Sequence, residues 1–209
     1  MDNFSNALST LKKYGYGHFK SVVKKEIVNS FKDNFFFLFN TMGGYDIEKE
    51  FDSESFAQKL KLFRNSNPKK FNALFKTSKL TNAFNNLFYN EQIQGLCSDI
   101  LGIDAETVVI GEKQLRIDEP KDKLYTLDWH QDSPYYPQAK NGQDSIVINI
   151  CLQRCVKDMG SVELIKGSHT KGTFEVKTDN IVSNVEQLKV NKEILDATNI
   201  IVLEPEVSD

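Results

Sequence analysis

Apolar positions recur at helical spacing through the first hundred residues. Val22, Val23, Ile27, Val28 and Phe31 fall on one face of a helix over residues 20–31. Phe35, Phe36, Phe37, Leu38 and Phe39 form a dense apolar block. It reads as core; exposed, it would mark a partner surface. Gly43 and Gly44, within residues 41–45, break the pattern. Ser53 or Ser55 is placed to cap a helix carrying Phe56, Leu60 and Phe63, which Asn65-Ser66-Asn67-Pro68 ends. Phe71, Leu74 and Phe75, then Leu80, Phe84, Leu87 and Phe88, then Ile93, Leu96 and Cys97 continue the spacing. Such stripes predict helix faces packed on a core, not a cofactor-binding surface.

The texture changes near Gly102. Residues 107–110, 114–117, 146–152, 162–165 and 199–203 are short and mostly rich in β-branched side chains, so they predict strands. Turn signals separate them at Asp118-Glu119-Pro120, Asn141-Gly142 and residues 157–160. Helices first and an antiparallel sheet region after is an α+β order, and short strands of this kind suit a jelly roll or sandwich.

The chain has 209 residues, 40% hydrophobic and 26% charged, with a net charge of -3. That predicts one domain with its own core: a helical support region over 1–104 and a β core over 105–209. The weak net charge gives no electrostatic case for nucleic acid or an anionic membrane. No apolar run approaches the roughly 18 residues of a membrane span, and the N-terminus lacks a basic-then-apolar signal. Cys97, Cys151 and Cys155 are an odd, small set, which predicts a reducing, cytoplasmic setting. Cys151 and Cys155 have the spacing of half a zinc site, but no second pair exists, so they read as small buried hydrophobes.

Candidate chemistry gathers at Trp129-His130-Gln131-Asp132. A His and an Asp two residues apart point the same way from a strand, placing an imidazole beside a carboxylate. That is two thirds of the 2-His-1-carboxylate triad that holds Fe(II) with open positions. The competing reading is a surface His hydrogen-bonded to its neighbouring Asp. Aromatic Trp129, Tyr135 and Tyr136 favour the first, because an iron site needs apolar walls. Gln114, Arg116 and Asp118 would share one strand face. Arg116 there suits a carboxylate of a ligand, or pairs with a neighbouring acid.

Leu115-Arg116-Ile117-Asp118-Glu119-Pro120, Trp129-His130-Gln131-Asp132, Met159-Gly160-Ser161-Val162-Glu163 and Gly167-Ser168-His169-Thr170-Lys171-Gly172 resemble the phytanoyl-CoA dioxygenase family in order and spacing. The resemblance covers residues 108–209. It implies a double-stranded β-helix of cupin-like, jelly-roll type, with Fe(II) and 2-oxoglutarate as cofactor and cosubstrate, O2 as oxidant and a small-molecule substrate. His130 and Asp132 correspond to iron ligands. Gln131 corresponds to a position near the cosubstrate, with Gln114 and Arg116 as further contacts. His169 corresponds to the family's Gly-Ser-His turn, which supports a loop and does not bind iron. Related halogenases replace the carboxylate ligand with a small residue, so Asp132 implies hydroxylation.

In that family a later strand carries the second ligand His, followed by an Arg for the distal carboxylate. Here only His18, His130 and His169 exist, and the sequence stops at the acidic turn after residues 199–203. The expectation is therefore a barrel lacking its final strands, read through a truncated chain with little turnover of its own. The alternatives are a catalytically inactive binding or structural domain, and a cupin-like metalloenzyme that uses His130, Asp132 and His169 without 2-oxoglutarate.

Overall fold

The computed structural model describes residues 3–47, 53–117, 127–136, 145–182, 185–195 and 197–207. They fall into two units, one of Met1–Lys20, Ile117–Asn149 and Arg154–Pro205, the other of Ser21–Arg116, Ile150–Gln153 and Glu206–Asp209.

The second unit is helical. Helix α2 (Lys25–Gly43) buries Val28, Phe31, Phe35, Phe36 and Phe39 on one face. Phe37 points the other way and is 66% exposed, so the apolar block is mostly core. Gly44 ends the helix in the left-handed conformation at φ 70°, its N–H donating to the Asn40 carbonyl. Helix α3 (Glu54–Ser66) starts at Ser53, whose Oγ accepts the Phe56 N–H at 3.1 Å, and buries Phe56, Leu60 and Phe63. Pro68 opens helix α4 (Pro68–Leu80) in its first turn, where the missing N–H costs nothing.

The stripe expected across residues 80–88 is interrupted. Thr81 is extended, and its Oγ1 accepts the Phe84 N–H at 3.2 Å to cap the five-residue α5 (Asn82–Asn86). A side chain able to bond the backbone here restarts the helix and changes its phase. Leu80 is left 81% exposed, while Phe84 and Leu87 are buried. Helix α6 (Glu91–Leu101) follows, capped by Asn90 and ended by Gly102 at φ 69°, with Ile93, Leu96 and Cys97 buried.

Phenylalanines fill the centre of this unit. The Phe39 ring meets Phe56 at 5.4 Å and Phe63 at 5.7 Å, both nearly edge-on, and Phe31 meets Phe84 at 5.5 Å. Edge-to-face pairs add roughly 0.5–1.5 kcal/mol to the burial of the rings themselves.

The first unit holds α1 (Asn3–Tyr14) and two small antiparallel sheets. Strand β1 (Glu163–Ile165) pairs with β4 (Ile200–Val202), in register Leu164 to Ile201. These strands lie where residues 162–165 and 199–203 predict them. Strand β2 (Val176–Val182) pairs with β3 (Val185–Val190), in register Thr178 to Leu188, with an irregularity between Asp179 and Val182. This hairpin has few apolar residues at its centre and is not announced by hydrophobicity.

Residues 108–110, 114–117 and 146–152 form no strand, contrary to expectation; Thr107 closes a short 3-10 turn instead. Exposure nonetheless alternates with period two over 108–110, 114–116 and 146–150, with Leu115 buried between exposed Gln114 and Arg116. The side-chain alternation needs only local sequence, whereas a strand also needs a partner ladder. The turn signals at 118–120 and 141–142 lie outside the described residues. The fold is α+β, and among the described residues no helix is long and apolar enough to cross a membrane.

Replacing Phe39, fully buried, with Ala should cost about 3–5 kcal/mol. Replacing the exposed Phe37 should change stability by about 0.5 kcal/mol or less. Urea unfolding of both variants checks this contrast.

Burial pushes the Cys97 thiol above its ordinary range. The folded state therefore disfavours its thiolate, and stability falls only as pH rises past the ordinary thiol value of about 8.5. Cys97 should label more slowly than half-buried Cys151 and Cys155 with a thiol reagent near pH 8, the difference vanishing in denaturant. Mass spectrometry of the labelled peptides reads the order.

Candidate functional site

Trp129 to Tyr136 is the segment on which the chemistry depends, and it is not a strand. Asp132 has helical torsions, φ -77° and ψ -25°, and leads into a 3-10 turn at Ser133–Tyr135 with Pro134 in its first positions. His130 and Asp132 nevertheless converge. Their Nε2 and Oδ1 atoms are 3.4 Å apart, with side chains 31% and 39% exposed. A turn at Asp132, and not strand alternation, brings them together.

His130 Nδ1 lies 2.7 Å from the Asp128 carbonyl. A carbonyl only accepts, so Nδ1 carries the proton and Nε2 is the ring atom turned to Asp132. Fixing the proton on one nitrogen so that the other can ligate is the usual support of a metal-binding His. Two neighbouring ligands, each about 2 Å from one metal, stand roughly 3 Å apart. The observed spacing fits that requirement, and the pair suits Fe(II) as two of its ligands.

The segment is held by residues far along the chain. The Trp129 carbonyl accepts the Val190 N–H at 2.9 Å, and the Tyr135 hydroxyl accepts the Leu188 N–H at 2.6 Å. Gln131 donates from Nε2 to the Gly172 carbonyl at 3.0 Å and accepts the Phe174 N–H at 2.7 Å on Oε1. Ser133 and Thr173 hydroxyls lie 3.2 Å apart.

The other expected site residues are placed elsewhere. His169 sits at the end of α1, with Nε2 3.4 Å from the Lys12 carbonyl. Its ring lies so close to Gly15 that a Cβ there would come within 2.4 Å of Nδ1. The neighbouring Gly167 N–H donates to the Tyr14 carbonyl at 2.8 Å. Gln114 accepts from Lys79 Nζ at 3.2 Å and donates to Glu112. Both Gln114 and Arg116 belong to the helical unit and are exposed. Among the described residues no group of three or more His, Cys, Asp or Glu side chains converges.

The family model for phytanoyl-CoA dioxygenase (PhyH) matches residues 11–193. The chain belongs to the phytanoyl-CoA dioxygenase family. Members of the phytanoyl-CoA dioxygenase family are Fe(II)- and 2-oxoglutarate-type oxygenases that act on small molecules with O2. No curated protein and no solved structure matches the chain.

One residue of this family member was not marked by sequence reasoning. Asp128 accepts the Trp129 N–H at 3.1 Å and pairs with Lys192 at 2.9 Å and Lys189 at 3.4 Å. Its backbone carbonyl holds His130 while its side chain holds Lys189 of β3 and Lys192 just beyond it. The lysines stand far along the sequence, so no local pattern announces the contact. Burial works to raise the Asp128 carboxyl, but Lys192, the Trp129 N–H and Lys189 together outweigh it and hold the group below its ordinary range.

A carboxyl lowered in the folded state stabilises fully above its unfolded value, about 3.9, and loses that contribution as pH falls through the lowered value. Lys192 is 67% exposed, which limits the contribution to about 1 kcal/mol. Asp128→Asn keeps the Trp129 contact and removes the charge. It should cost about that much at pH 7, and nearly nothing near pH 2. Thermal unfolding across this range measures the difference.

Proposed function

We propose that the chain is an Fe(II)/2-oxoglutarate-dependent oxygenase that hydroxylates a small molecule, built on the family's double-stranded β-helix and working in the cytoplasm. His130 and Asp132 are its iron ligands. The observation that carries this reading is their 3.4 Å convergence, with His130 Nδ1 committed to the Asp128 carbonyl. Bound there, Fe(II) would supply the coupling of 2-oxoglutarate decarboxylation to C–H hydroxylation.

The chain's own residues do the rest. Nδ1–H of His130 stays on the Asp128 carbonyl, so the ring cannot rotate its ligating nitrogen away. Asp132 offers a negative charge beside that nitrogen, favouring a divalent cation over a neutral occupant. Arg116, in the helical unit, is exposed and carries the planar fork that suits a carboxylate such as those of 2-oxoglutarate. Gln114 and Gln131 were expected to contact the same cosubstrate. In the structure the Gln114 amide engages Lys79 and Glu112, and the Gln131 amide engages Gly172 and Phe174.

A second reading, a catalytically inactive domain of this fold, draws on the finding that only two such ligands converge among the described residues. Co(II) or Fe(II) titration separates the two. The oxygenase reading expects metal binding that tightens roughly tenfold or more with saturating 2-oxoglutarate, because the cosubstrate adds its own donor atoms to the metal. His130→Ala and Asp132→Ala should each abolish binding while leaving the fold intact by circular dichroism. Metal affinity indifferent to 2-oxoglutarate and to both substitutions would sink the oxygenase reading.

A further inference from the structure

Gln131 sits between the two proposed ligands and bonds neither of them. Its carboxamide donates to the Gly172 carbonyl at 3.0 Å and accepts the Phe174 N–H at 2.7 Å. Bonding to the C=O of one residue and the N–H of the residue two further on is how a strand residue bonds its neighbour in a parallel ladder. The side chain of Gln131 thus makes the two bonds that a strand backbone would make there. Gly172 is prepared for it. Its φ 75° and ψ -165° belong to a region essentially reserved for glycine, and its carbonyl faces Gln131. The Ser133–Thr173 hydroxyl contact adds a second tie one turn further on.

We propose that Gln131 is a positioning residue: its carboxamide clasps the loop at residues 172–174 and thereby sets the direction from which His130 and Asp132 project. The physical reason is covalent. Residue 131 carries the backbone that both neighbours share, so fixing its side chain at two points fixes the peptide planes on either side. A loop after the Gly167-Ser168-His169 turn is thus coupled to the candidate metal site through one amide. The consequence for the metal rests on the function proposed above, whereas the clasp itself does not.

The test uses the whole chain, with Gln131→Ala, Gln131→Glu and Gly172→Ala. Amide exchange at Phe174 reads the clasp, and the ring 15N shifts of His130 without metal read the positioning. Gln131→Ala should speed Phe174 exchange about tenfold, the loss of one hydrogen bond, and move the His130 shifts. Gln131→Glu keeps the acceptor, so Phe174 protection should persist although the Gly172 bond is gone. It also covers the case in which the Ala variant fails to fold. Gly172→Ala should reproduce the His130 shift change without touching Gln131. Co(II) affinity should fall about 10–100-fold in Gln131→Ala, the usual effect of losing an outer support.

Unchanged Phe174 exchange in Gln131→Ala, or unmoved His130 shifts in both Gln131→Ala and Gly172→Ala, would overturn the proposal. A wild-type chain that binds no Co(II) would refute the iron reading alone, the clasp still being decided by exchange and ring shifts. A Gln131→Ala variant with wild-type exchange but a weakened 2-oxoglutarate requirement would make Gln131 a cosubstrate contact instead.

Discussion

The constraint on which the site depends is that Trp129 to Tyr136 has no strand ladder of its own. Backbone amides and carbonyls in such a segment need partners from elsewhere, since a group left unpaired away from water costs about 1–3 kcal/mol. Here the Trp129 carbonyl finds its partner on β3, the Tyr135 and Tyr136 N–H groups close back on the Asp132 and Ser133 carbonyls, and residues 172–174 and β3 hold the segment through its Gln131 and Tyr135 side chains. Val190 and Leu188 donate to Trp129 and Tyr135, and Gly172 and Phe174 engage Gln131. The hairpin is therefore scaffold for the chemistry, although it carries none of the expected ligands.

Around that scaffold the charges are arranged in series. Lys189 and Lys192 hold the Asp128 carboxylate, and the Asp128 carbonyl holds Nδ1 of His130. His130 Nε2 then faces Asp132. Each link constrains the next, so an exposed ion pair worth little in stability fixes the orientation of the group that matters. The Gly-Ser-His turn has a different job. His169 packs on Gly15 and the Lys12 carbonyl, and Gly167 bonds Tyr14, which ties the end of α1 to the turn.

The helical unit relies on different physics. Its order comes from phenylalanine burial along one face each of α2 and α3, with side-chain caps at Ser53, Thr81 and Asn90 marking where each helix begins. These are local devices. Their agreement with the hydrophobic spacing is why this unit is readable from the chain, apart from residues 20–24, which precede α2 instead of opening it, and the stripe across residues 80–88, which the Thr81 cap interrupts.

Sequence alone determined the helical spacing, a serine cap at Ser53 or Ser55, the break at Gly44, the strand positions of β1 and β4, and the family, while the structure chose Ser53. All of these are written in periods of a few residues or in contiguous motifs. It also marked His130 and Asp132, although by assuming a strand where Asp132 instead turns. Tertiary structure decided what is separated along the chain. Residues 108–110, 114–116 and 146–150 keep the alternating exposure of strands but find no ladder, because pairing depends on a partner that local pattern does not encode. The β2–β3 hairpin formed from a polar stretch, since a ladder can be satisfied by backbone groups whatever the side chains. Asp128 and Gln131 gain their roles only when Lys189 and Lys192, and Gly172 and Phe174, come to lie beside them, and hydrogen bonds across such separations leave no periodic trace in the sequence.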